Sequence, residues 1–164
     1  MSIKLNRRSF VGAAITAGLI TPSVALAMGT RHEIQMLNAH PDDKKLRQVY
    51  LPRIQVVKPG DTVAFLSVDK GHNSAAVKDM FPEAAEGWNG KINEDIEVTL
   101  DVPGFYGYQC TPHASTGMVG LIVVEGEGMM DNLEAAQGVR QRGKAKAVWE
   151  DIWAEVDGME FAMS

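Results

Sequence analysis

Between Glu33 and Val124 the apolar stretches are short, and turn clusters keep cutting them off. Ile54-Gln55-Val56-Val57 runs into Lys58-Pro59-Gly60-Asp61, and Ile96-Glu97-Val98-Thr99-Leu100 is followed by Pro103-Gly104. Proline lacks a donor and glycine weakens a helix interior, so segments this short read as strands joined by turns. Ile96 to Leu100 alternates apolar and polar, which predicts one buried face. Ile34-Gln35-Met36-Leu37, Thr62 to Leu66 and the aromatic run Phe105 to Cys110 read as further strands. Val119 to Val124 is continuously apolar, as a buried sandwich strand is. Together they predict a mainly β, two-sheet sandwich.

The pattern changes after Gly128. Asn132-Leu133-Glu134-Ala135-Ala136 is helix-prone, with Gly138 as a stop, and a second helix starts near Lys144. Ala145, Val148, Trp149, Ile152, Trp153 and Val156 fall on one face of it. That stripe predicts packing onto the sandwich, not chemistry.

Residues 1–27 read as an export signal. Lys4, Arg7 and Arg8 precede an apolar run from Phe10 to Ile20, and Ala25-Leu26-Ala27 has the small-x-small form of a cleavage site. The run is too short for a comfortable membrane span. Asn6-Arg7-Arg8-Ser9-Phe10-Val11 resembles a twin-arginine signal, against the simpler reading of an ordinary secretory leader. Either route predicts a mature chain starting near Met28. The expected layout is one domain over 28–164, with the β-sandwich at 28–126 and a helical extension at 127–164. Losing a leader with three cations and no acid takes the formal net charge from −5 to −8. A chain that acidic is repelled by nucleic acid and by anionic lipid surfaces, which excludes both as partners.

Cys110 is the only cysteine, so no internal disulfide forms, and export carries a lone thiol into an oxidising compartment. Its neighbours supply a reason. Cys110-Thr111-Pro112-His113-Ala114-Ser115-Thr116-Gly117-Met118 gathers a thiolate, an imidazole and a thioether between two apolar strands. Soft sulfur ligands suit copper(I) and imidazole suits both copper states. Two nitrogens and one sulfur in a trigonal plane, with a weak axial Met, make a blue-copper centre, and that needs a second histidine. His72, in Asp69-Lys70-Gly71-His72-Asn73 just after the Thr62 to Leu66 strand, is the candidate; His32 and His40 read as solvent-exposed. The predicted metal ligands are therefore His72, Cys110, His113 and Met118. Structural zinc sites rarely use Met, and an exported Cys-His hydrolase would lose its nucleophile to oxidation. Histidines are too few for a second, oxygen-reactive copper cluster. The expectation is an electron carrier and not an enzyme, with a copper carrier or chaperone as the alternative.

The chain resembles the pseudoazurins, small periplasmic members of the cupredoxin (type 1 blue copper) family. The resemblance rests on Met36-Leu37-Asn38, Lys58-Pro59-Gly60-Asp61-Thr62-Val63, Asp69-Lys70-Gly71-His72-Asn73, Gly90-Lys91-Ile92-Asn93-Glu94, Pro103-Gly104-Phe105-Tyr106-Gly107, Cys110-Thr111-Pro112-His113 and Gly117-Met118-Val119-Gly120. It implies an eight-stranded Greek-key sandwich with two C-terminal helices and one type 1 copper ion. It also implies a periplasmic monomer passing single electrons to a nitrite reductase or a c-type cytochrome. The chain departs from the family pattern at Ala114-Ser115-Thr116, where an aromatic-Gly-Met insert is common. Gln109 stands where Lys is frequent, and Ala39-His40 where Lys-Gly is usual. These departures thin the expected lysine collar, leaving Lys70, Lys78 and Lys91 as its predicted rim.

Overall fold

The computed structural model describes residues 29–162. The segment read as an export signal, 1–27, lies outside the described residues. Eight strands form two four-stranded sheets, followed by two helices. The strands are β1 (Arg31–Ala39), β2 (Arg47–Leu51), β3 (Ile54–Val57), β4 (Asp61–Leu66), β5 (Ala75–Ala76), β6 (Ile96–Leu100), β7 (Gly104–Gln109) and β8 (Val119–Val124); α1 is Leu133–Gly138 and α2 Ala145–Asp157. One sheet has the order β2-β1-β4-β6 and the other β3-β8-β7-β5. β1 pairs with β4, and β3 with β8, in parallel; the other pairs are antiparallel. Between β2 and β7 the chain changes sheet at every connection, a Greek-key route around a single core.

That core is built from alternate residues. Ile34, Met36, Val63 and Phe65 point inward from one sheet, and Tyr106, Tyr108, Ile122 and Val124 from the other. The opposite face of the second sheet is also covered. Phe105, Val119, Leu121 and Val123 pack under Ala136, Ala145, Trp149, Ile152 and Val156 of the two helices. β8 is therefore apolar throughout because it has no solvent face. Burying each large side chain of this second layer contributes about 1.5–3 kcal/mol, which fixes the helical extension to the sandwich. No helix among the described residues is long and apolar enough to cross a membrane.

Two strands lack a clear sequence signal. β5 has two residues, and β2 buries only Tyr50 and follows the charged run at Asp42–Lys45. Gln48 sits in the left-handed region within β2, with φ 55°.

Register places the site. Ala75 of β5 pairs with Gln109 of β7. Residues just before Ala75 therefore lie beside residues just after Gln109, which brings His72 next to Cys110.

Candidate metal centre

The loop from β7 to β8 is a 3₁₀ turn, Thr111–Thr116, that carries Pro112 in its first turn and is capped by Gly117 at φ 100°. A side chain at Gly117 would be strained in that left-handed conformation, and its Cβ would lie 3.0 Å from Val148 Cγ2. The loop closes on itself: the Cys110 amide donates to the Met118 carbonyl (3.0 Å) and the Met118 amide to the His113 carbonyl (3.1 Å). Cys110 and Met118 are buried at its two ends, while His113 is partly exposed.

His72 comes from the β4–β5 loop and is fully buried. Its Nε2 lies 3.0 Å from Asn38 Oδ1. With that oxygen as acceptor, Nε2 carries the proton and Nδ1 keeps its lone pair, aimed at the β7–β8 loop. His72 Nδ1 stands 3.1 Å from His113 Nδ1, and Cys110 Sγ lies 3.7 Å from the first and 3.5 Å from the second. A point equidistant from the three atoms is about 2.0 Å from each, close to the length of a metal–imidazole bond. Two ring nitrogens and a thiol converge on that point as a metal's donor set does. Burial pushes the Cys110 thiol upward, with partial relief from the amides of Asn73 and His113. Burial, and then the neighbouring His113, hold His72 below its ordinary value. Both side chains sit where a cation would relieve the cost of their burial.

Asn73 joins the β4–β5 loop to the β7–β8 loop. Its Nδ2 donates to the Gly90 carbonyl (2.9 Å) and to Thr111 Oγ1 (3.0 Å), and its Oδ1 accepts from the Thr111 amide (2.8 Å). Tyr50 Oη donates to the Asn73 carbonyl at 2.6 Å.

Sequence reading missed Asn38, whose only signal is its place after Met36-Leu37 at the end of β1. It also placed His32 wrongly. His32 is partly buried, at the opposite end of β1, with Nε2 2.9 Å from Asp61 Oδ2. An Asp twenty-nine residues away in sequence becomes its neighbour only through the β1–β4 pairing. His40 accepts a hydrogen bond from the Asp42 amide (3.2 Å) and takes no part in the triangle.

The profile of the copper binding proteins, plastocyanin/azurin family, matches residues 37–125. A pseudoazurin from Paracoccus pantotrophus is 35% identical over 88% of this chain and 96% of its own. Among solved structures, a Sinorhizobium pseudoazurin superposes with a TM-score of 0.73 at 47% identity, covering 79% of this chain and 98% of that one. The chain belongs to the pseudoazurins, within the plastocyanin/azurin family. The pseudoazurin of Methylobacterium extorquens AM1 superposes with a TM-score of 0.71 at 35% identity, covering 77% of this chain and 98% of its own. Family membership makes this a one-copper, type 1 electron carrier of cupredoxin fold and not an enzyme. The donor set formed by His72, Cys110 and His113 fits that metal.

Proposed function

We propose that His72 Nδ1, Cys110 Sγ and His113 Nδ1 would hold the copper and that Met118, buried at the end of the same loop, would supply a fourth, weaker sulfur ligand. The observation that carries this is the triangle itself: three donor atoms of two loops, 3.1–3.7 Å apart. Copper supplies a one-electron Cu(I)/Cu(II) couple. The chain's own residues keep the donors still while charge changes. Asn38 fixes the His72 ring, Asn73 ties the loops, and the 3₁₀ turn sets His113 relative to Cys110 and Met118. His72 is sealed in the core, so the partly exposed His113 is the exit toward a partner.

The acidic mature chain works in the periplasm after export through the leader at 1–27. There it passes electrons to a redox protein such as a nitrite reductase or a c-type cytochrome, as a monomer that meets its partners transiently. The test is to add copper(II) to the refolded apo-protein and record the visible spectrum. The expected result is an intense blue or green band, bleached by a mild reductant and absent in Cys110→Ser. A Cys110→Ser protein that keeps the band would overturn the ligand assignment. The alternative of a copper carrier or chaperone predicts metal loss on redox cycling, whereas an electron carrier keeps its copper through repeated cycles.

A further inference from the structure

Among the described residues, three that are not glycine have positive φ: Gln48 at 55°, Asp79 at 65° and Asn93 at 68°. A left-handed backbone is unfavourable for any residue with a Cβ, least so for Asn and Asp, and it persists where the surrounding structure demands it. Two of the three are bonded, directly or through one side chain, to a histidine of the metal centre.

Asn93 brackets His72. Its amide donates to the His72 carbonyl (2.9 Å), and its Oδ1 accepts from the Gly71 amide (2.6 Å). One residue thus holds the backbone on both sides of the His72 Cα. Asn93 is itself exposed, so core packing does not require it. Gln48 reaches His113 from the β2 side. Its side chain meets Thr116 Oγ1 at 2.6 Å, and that oxygen lies 2.8 Å from the His113 carbonyl oxygen. A hydroxyl has one proton, so both contacts form when Gln48 presents its NH₂ to Thr116 Oγ1 and Thr116 donates to His113. The β1–β2 register agrees. Leu37 pairs with Val49 and Ala39 with Arg47, whereas Asn38 and Gln48 between them do not pair. The open rung is the one whose two side chains leave the ladder, Asn38 for His72 Nε2 (3.0 Å) and Gln48 for Thr116.

We propose that Asn93 and Gln48 are positioning residues, Asn93 holding the backbone of His72 and Gln48 holding the carbonyl of His113 through Thr116. Their left-handed backbones are kept for the geometry of the centre. The inference rests on the copper-centre reading and adds to it what limits the movement of each histidine as the metal changes charge. Looser histidines donate less well, which disfavours copper(II) against the softer copper(I).

Glycine adopts the left-handed region freely, so Asn93→Gly and Gln48→Gly delete each side chain without straining the backbone. Asp79→Gly makes the same change at the third position and is the control, because Asp79 lines a cleft that contains no residue of either loop. In the metal-free full chain, amide hydrogen exchange followed by ¹⁵N NMR reads each strap by itself. Asn93→Gly should speed exchange of the Gly71 amide about fivefold. Gln48→Gly and Thr116→Val should do the same for the Met118 amide, which also bonds the His113 carbonyl (3.1 Å). Asn93→Asp keeps the acceptor and Thr116→Ser the hydroxyl, so both should exchange as wild type does. Relief of the left-handed backbone offsets the chain entropy of glycine, so the metal-free Tm of all three glycine variants should stay within about 2 °C of wild type. In the copper-loaded chain, release to a chelator should be about fivefold faster in Asn93→Gly and Gln48→Gly, with a raised reduction potential, while Asp79→Gly matches wild type in both. A lowered Tm with unchanged exchange, release and potential would make the two residues merely structural and overturn the proposal. An Asp79→Gly protein that changes as much as the other two would overturn it as well. A wild type with no intense visible band would refute the copper reading instead, and exchange at Gly71 and Met118 would still decide the straps.

Discussion

Replacing Asn73 with Ala severs the link between the two ligand-bearing loops, and the structure sets its cost. Asn73 is 3% exposed and makes three side-chain bonds, two to Thr111 and one to the Gly90 carbonyl. At about 1 kcal/mol net for each bond, the loss is about 3 kcal/mol. For a domain of this size that lowers the apo-protein Tm by about 10 °C. Thr111→Val removes only the Oγ1 contact and keeps the amide bond, so it should cost about 1 kcal/mol and about 3 °C. Differential scanning calorimetry of both variants without metal reads the two losses. Chelator competition on the copper-loaded proteins should show faster release from Asn73→Ala than from Thr111→Val, because only the first frees the loops from each other. An Asn73→Ala Tm within about 2 °C of wild type, or equal costs for the two variants, would refute the idea that this side chain holds the loops together.

Met118→Leu should keep copper but shift the reduction potential upward, since a weak axial sulfur favours copper(II); cyclic voltammetry with an unchanged potential would count against an axial role. Pro112 stands at the start of the 3₁₀ turn and has no N–H to offer the Cys110 sulfur. Pro112→Ala adds one and should raise the potential; a lower value would contradict that account. Asp61 accepts bonds from the Thr30 amide (2.7 Å), the Lys58 amide (2.9 Å) and His32 Nε2 (2.9 Å). Burial raises its carboxyl, but the Lys58, His32 and Thr30 bonds outweigh that and hold it below its ordinary value. A depressed folded value means that this stabilisation is present above the ordinary carboxylate range and lost as pH falls through the folded value. Urea unfolding against pH should therefore show an acid limb that is shallower in Asp61→Asn; identical limbs would place the linkage elsewhere.

What the sequence made legible follows from the range over which each signal acts. Cys110 and His113 lie within one loop, so their approach could be read locally, and the turn chemistry of Pro112 and Gly117 marks where that loop bends. β8 and the α2 stripe were legible because hydrophobic period reports burial directly. Asn38 and the His32–Asp61 pair were not, because each depends on a strand register that brings distant residues together. β2 was hidden for a related reason. It is an edge strand with a single fully buried residue, so its pattern is mostly polar and reads as a continuation of the charged loop before it. Lys45 and Arg47 look like solvated charge in sequence, and only the packing of the β8 sheet and α2 behind them turns that charge into one wall of a groove beside the metal loop.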